Sequence, residues 1–178
     1  MTAWVALLRA INVGGRNRVP MAELRALLGE LGLGEVRTLK QTGNVVFQSD
    51  RERAAGLEAM LEDAVAERMG VRTDFFVRSA AQWREIVAAN PFPEAAERDP
   101  GHLVMLALKR APEVDAVAAL EAAISGRELV RADGAHLYAW YRDGIGRSKL
   151  TNALIERKLG VSSTGRNWNT VLALAELP

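Results

Sequence analysis

The chain has no cysteine among its 178 residues. Disulfides, thiolate nucleophiles and cysteine-ligated metals are therefore excluded. A cytoplasmic location is expected from the same absence. Histidine is nearly as scarce. His102 and His136 are the only two, and neither has the spacing of a metal ligand pair. No metal and no cofactor is expected. Long apolar runs are also missing: none approaches the roughly 18 residues that a membrane span needs. The opening Met1-Thr2-Ala3-Trp4 has no basic segment leading into an apolar one, so neither a signal peptide nor membrane association is expected. An excess of one charge is lacking too. With 23 basic and 22 acidic residues the net charge is +1, which gives no overall field to attract nucleic acid.

What remains is the composition of an ordered globular protein, 49% apolar and 25% charged. The length allows one domain or two small halves sharing a core. Arg outnumbers Lys 19 to 4. That bias fits a GC-rich genome better than adaptation to heat, whose usual signature is Lys and Glu.

Hydrophobic periodicity orders the elements. Trp4–Ile11 is apolar on both alternating sets apart from Arg9, which predicts a strand buried on both faces. Pro20 then opens a helix carrying Leu24, Leu27, Leu28 and Leu31, and Gly32 stops it. Two strands, Val36–Gln41 and Asn44–Gln48, flank a tight turn at Thr42-Gly43. Ser49-Asp50 offers a cap for a helix running to Met69, and Thr73–Val77 is the next strand. This is the βαββαβ order of a ferredoxin-like unit. A short helix over Ala80–Ala89 and a polar linker over Glu94–Gly101 follow. The order then restarts with the strand His102–Lys109, a helix after Pro112, a hairpin around Asp133-Gly134, the helix Lys149–Leu159 and a last helix over Asn167–Leu177. The expected fold is α+β: two tandem ferredoxin-like halves sharing a core, the second incomplete, with a helix where a last strand would stand. The expected division is 1–78 for the first half, 79–101 for the connecting helix and linker, and 102–178 for the second half.

Four polar runs interrupt this pattern at element ends. They are Asn12–Arg18, Gln41–Asn44, Asp143–Lys149 and Ser163–Thr170. Glycine lets a backbone approach a ligand closely, and loop N–H groups before a helix favour an anion. Arg9, Asn12, Gly14, Gly15, Arg16, Gln41, Thr42, Asn44, Arg147, Ser148, Lys149, Arg166, Asn167 and Asn169 are the candidate ligand-binding residues. Each has a plainer reading. Gln41–Asn44 is a hairpin turn, Ser148 a helix N-cap, Thr164 or Asn167 another cap, Trp168 a packed core residue and Arg9 half of a structural ion pair. The histidines read as structural or solvent-facing. The phosphate-loop and dinucleotide spacings are absent, and no nucleophile elbow or acid–base pair stands out. Lys40–Phe47 faintly echoes an RNA-binding strand but puts Asn44 and Val46 where stacking rings are needed, so nucleic acid is not an expected partner.

Five ordered segments then carry a resemblance: Leu8–Gly15, Gln41–Phe47, Asn90-Pro91-Phe92, Gly144–Leu150 and Thr164–Val171. Together they resemble the domain of unknown function family 1697, over nearly the whole chain. The resemblance implies a small bacterial protein of α+β fold with two related ferredoxin-like halves. It implies no activity. Ala10 stands where the family often has Gly, and Gly165 where it often has Ala. The resulting expectation is a small anionic, phosphate-bearing ligand bound between the halves. The alternatives are a metal-independent enzyme acting on a phosphorylated or nucleotide substrate, and a structural or protein-interaction module.

Overall fold

The computed structural model describes residues 1–178. It divides into two compact units, Met1–Glu85 with Leu174–Pro178, and Ile86–Ala173.

In the first unit, β1 (Thr2–Leu8), α1 (Met21–Glu30), β2 (Gly34–Leu39), β3 (Asn44–Ser49), α2 (Ala54–Met69) and β4 (Phe75–Ser79) follow one another. The strands form an antiparallel sheet of order β2-β3-β1-β4. Alternation sends Trp4, Ala6 and Leu8 of β1 to one face, with Val45, Phe47, Phe75 and Val77. There they bury against Leu24 and Leu28 of α1 and Leu57, Leu61 and Val65 of α2. Val5, Leu7, Val46 and Phe76 belong to the opposite alternation set and are equally closed to solvent. The absence of a polar set in β1 is thereby accounted for. Two carboxylates of α2 fix that helix along β4: Glu58 accepts from the Val77 N–H and Glu62 from the Phe75 N–H, each at 2.9 Å. Ala80–Ala88 forms α3.

The second unit repeats the pattern. After α4 (Pro93–Arg98) and a 3₁₀ turn at Pro100–His102 come β5 (Leu103–Leu108), α5 (Val114–Ala123), β6 (Leu129–Asp133), β7 (His136–Trp140), α6 (Asn152–Leu159), β8 (Ser163–Asn167) and α7 (Trp168–Ala175). The sheet order β6-β7-β5-β8 matches the first unit strand for strand. Leu106, Leu108, Leu137 and Ala139 bury against Leu120, Ile155 and Leu159 of its helices.

The two-half α+β architecture is as expected, with three local corrections. The second half is not short of a strand: β8 pairs antiparallel with β5 from Leu108↔Ser163 to Val104↔Asn167. Its sequence, Ser-Thr-Gly-Arg-Asn, has almost no intrinsic strand preference, and pairing imposes the conformation. The supposed linker Glu94–Gly101 is mostly helical, because Pro93 sits at the first helical position. Ser49 does not cap α2; its Oγ accepts from the Arg51 N–H, and the N-cap position is Arg53.

Candidate functional site

A cleft of about 540 Å³ opens in the second unit where two of the polar runs come together. Its floor is apolar. Val104 and Leu106 lie on one face of β5, and Gly165 of β8 stands opposite Leu106. A Cβ at Gly165 would lie 3.0 Å from Val104 Cγ1 and 3.4 Å from Leu106 Cγ, so the missing side chain is part of the cleft's depth. Tyr141, Ile145 and Leu150 extend the apolar wall. The rim is polar, with Ser148, Thr151, Asn152 and Asn167.

The rim is held by its own hydrogen bonds. Gly144, at φ +92°, reverses the chain, and its N–H donates to the Tyr141 carbonyl at 3.0 Å. Arg127 grips the carboxylate of Asp143 through Nε and Nη2, and this bonding holds the Asp143 carboxyl below the usual range. Ser148 Oγ donates to Glu128 at 2.6 Å and accepts from the Leu150 N–H at 3.1 Å. It therefore closes a turn; the N-cap of α6 is Thr151, which accepts from the Leu154 N–H. Tyr141 donates to the Leu150 carbonyl at 2.9 Å, and burial pushes its phenol up to about 12. Ser163 Oγ donates to Asn152 Oδ1 at 3.0 Å. Asn167 Oδ1 accepts from the Thr170 N–H, making it the cap of α7.

The six candidates of this unit thus separate. Ser148 and Asn167 line the cleft. Arg147 and Lys149 flank Ser148 on the bounding loop and are exposed. Arg166 lies between Gly165 and Asn167 on a strand, so its side chain leaves from the opposite face. There its Nη1 donates to Thr164 Oγ1 and to the Gly165 carbonyl, both at 2.8 Å. Burial lowers its pKa to about 10, which leaves it a cation at neutral pH. Asn169 is exposed in the first turn of α7.

The other two runs meet in the first unit. Asn12, at φ +54°, donates from Nδ2 to the Val19 carbonyl at 2.9 Å and to the Gln41 carbonyl at 2.6 Å. Its Oδ1 accepts from the Val19 N–H at 2.8 Å. One side chain therefore closes its own loop and ties it to the β2–β3 turn. Gly43 accepts from the Leu8 N–H on the other side of that turn. Asn44 is wholly buried and donates to the Leu39 carbonyl and to Thr42 Oγ1. Gly14, Gly15 and Arg16 form the exposed tip of the first loop, where Val13 and Arg16 bridge. Arg9 is half-buried in a polar cavity of about 340 Å³ shared with Arg72 and with Glu62, Asp63 and Asp74. The three carboxylates there offset the two arginine charges, so the cavity has no excess of positive charge to draw an anion.

A family described as "Protein of unknown function (DUF1697)" matches residues 1–138. The chain belongs to the DUF1697 family. The matched segment covers Met1–Glu85 of the first unit and reaches β7, and the rim of the cleft and Leu174–Pro178 lie beyond it. A solved structure with the same architecture is described as a conserved bacterial protein, SP0830, from Streptococcus pneumoniae. It is 25% identical, with a TM-score of 0.75, and the likeness covers 99% of this chain and 98% of that one. Among curated proteins none matches.

In this DUF1697 chain one arrangement was not legible in the sequence. His102 Nδ1 lies 2.9 Å from Asp99 Oδ1, and Asp99 Oδ2 accepts from Trp140 Nε1 at 3.1 Å. Both carboxylate oxygens are engaged, and the imidazole orientation is set by the bond at Nδ1. A Cβ on Gly144 would stand 4.0 Å from His102 Nε2, which puts the ring beside the Asp143–Lys149 loop. The i, i+3 spacing of Asp99 and His102 is the only trace of this in the sequence.

Proposed function

We propose that the protein is a binding module for a small phosphate-bearing ligand, taken up in the second unit's cleft. The observation that carries this reading is the pairing of an apolar floor with a polar rim whose loop bears Arg147 and Lys149. The floor of Val104, Leu106 and Gly165 suits a flat or apolar group. The phosphate would lie toward the start of α6, where leading N–H groups and the helix dipole favour negative charge. Arg147 and Lys149 would add directional donors and charge. The cysteine-free sequence supports a cytoplasmic setting for such a ligand.

Titration calorimetry with adenosine monophosphate and with inorganic phosphate tests this. Saturable binding is expected, weakened about tenfold, or roughly 1.4 kcal/mol, in Arg147→Ala and in Lys149→Ala. Gly165→Val should remove binding of the nucleotide by filling the floor. Absence of saturable heat at millimolar ligand would dismiss the reading.

A second reading has its own support. Ser148, Thr151, Asn152 and Asn167 all hold partners within their unit, as joints of a structural or protein-interaction module would. On that reading the same variants change stability and leave the calorimetric trace flat.

A further inference from the structure

In the second unit's sheet, of order β6-β7-β5-β8, the strand β6 stands at an edge and pairs with β7 alone. Asp133↔His136 closes a two-residue hairpin, with Gly134 at φ +56°. In such a hairpin Leu129, Arg131 and Asp133 exchange hydrogen bonds with β7. The N–H and C=O groups of Val130 and Ala132 then point away from it. An edge of this kind is a template for a further strand.

The helix beside this strand is short of cover. α1 of the first unit and α5 of the second hold matching places in the element order, with ten residues each. α1 buries Met21, Leu24, Leu27 and Leu28, whereas α5 buries Leu120 alone. Val114 of α5 is 84% exposed. Between α5 and β6 runs a trough of about 460 Å³, with Val114, Val117 and Ala118 on one side and Arg131 and Ala132 on the other. The matching edge of the first unit is better occupied. Arg25 of α1 donates to Thr38 of β2 at 2.6 Å, and Arg37 of β2 donates to the Leu177 carbonyl.

Charge decides what fits the open edge. Alternation sends Val130 into the core and Arg131 to the other face. The Arg131 guanidinium nevertheless donates to the Val130 carbonyl at 3.0 Å and stands 3.9 Å from Glu121 of α5, so it turns round the strand. Asp133 is exposed two residues along the same face. A second β6 can dock antiparallel across a two-fold axis, placed at Val130, Arg131 or Ala132. An axis at Arg131 sets that cation against its own copy, which is destabilising. An axis at Val130 sets it against Leu129. An axis at Ala132 sets Arg131 against Asp133 of the partner subunit, twice by symmetry. The same axis joins the two Ala132 residues through their outward N–H and C=O groups, and alanine is the smallest side chain of the strand.

We infer that β6 and α5 form the interface of a homodimer, its β6 strands antiparallel about Ala132 and its α5 helices flanking the seam. The two four-stranded sheets become continuous, and the troughs of the two copies meet over Ala132.

Sedimentation velocity of the full chain, from low micromolar to millimolar, tests this. Reversible association to twice the mass of the chain is expected. Arg131→Asp and Asp133→Arg each turn two attractive pairs into two repulsive ones, so each alone should raise the dissociation constant about tenfold. Mixed in equal amounts, the two variants should associate about as tightly as the wild type, because each then meets the opposite charge on the other. Misfolded variants could not rescue one another in this way. Hydrogen exchange at the Ala132 amide should slow as the concentration rises, while the Arg131 amide, already bonded to β7, stays constant. A chain monomeric at every concentration overturns the inference. So does a mixture no tighter than either variant alone, or a dimer in which exchange at Ala132 is indifferent to concentration.

Discussion

Asn12 satisfies three backbone groups with one amide while itself sitting at φ +54°. Asparagine tolerates that conformation because its short polar side chain bonds locally. Asn12→Ala should cost roughly 2–3 kcal/mol, since it leaves several polar groups unmatched; urea unfolding measures this. Gly43 is equally constrained. At φ +86°, a Cβ would lie 2.9 Å from both Leu8 Cβ and Ile11 Cδ1. Gly43→Ala should destabilise by about 2 kcal/mol or more through backbone strain and overpacking together. The two tyrosines offer a cleaner measurement, because the chain has no others. Tyr138 donates to the Ile86 carbonyl at 2.6 Å, and burial raises both Tyr138 and Tyr141 to about 12. Between pH 10 and about 12 the folded state keeps protons that the unfolded chain has released, so stability falls as pH rises. Below pH 10 this contribution is fully present. Ultraviolet titration of the native protein should show no phenolate step near 10, and Tyr141→Phe should flatten the alkaline loss of stability.

At the scale of elements, apolar patterning made most of the fold legible. β1 and β5 declared themselves by having no polar face, and α1 by its leucine spacing. Polar segments were harder to read. Ser163–Asn167 looked like a loop ahead of a helix because its strand character comes from pairing with β5, which no local window contains. Ser148 looked like an N-cap for the same reason. Its true partners, Glu128 and the Leu150 N–H, include one 20 residues away. The candidate site was legible as a set of runs, but not in which runs meet. Asn12 joining Gln41 and Gly165 facing Leu106 are products of register. Thr151 was not singled out, yet it is the cap of α6. Thr151→Ala should cost about 1 kcal/mol, whereas Ser148→Ala should cost more by leaving Glu128 and the Leu150 N–H unmatched. Paired thermal melts would rank the two.

For the whole molecule, the decisive fact is that each unit holds a complete βαββαβ set with the same sheet order. The units nevertheless differ in where their polar runs lie. In the first, the loops after β1 and β2 are tied to each other through Asn12. In the second, the polar runs follow β7 and enclose a cleft. The first unit also takes in Leu174–Pro178, where Leu174 is fully buried and Arg37 donates to the Leu177 carbonyl. Leu174→Ala should cost about 2–5 kcal/mol. Hydrogen exchange should show the loss as faster opening of β1–β4 amides.

That discontinuity has a consequence for biosynthesis. A unit that joins Met1–Glu85 to Leu174–Pro178 cannot gather all its parts until those last residues have been translated, with all of Ile86–Ala173 made in between. Ile86–Ala173 is contiguous, and all its residues leave the ribosome before the first unit's last segment does. The usual order, in which the body translated first also folds first, is therefore altered: β1–β4 wait for Leu174–Pro178.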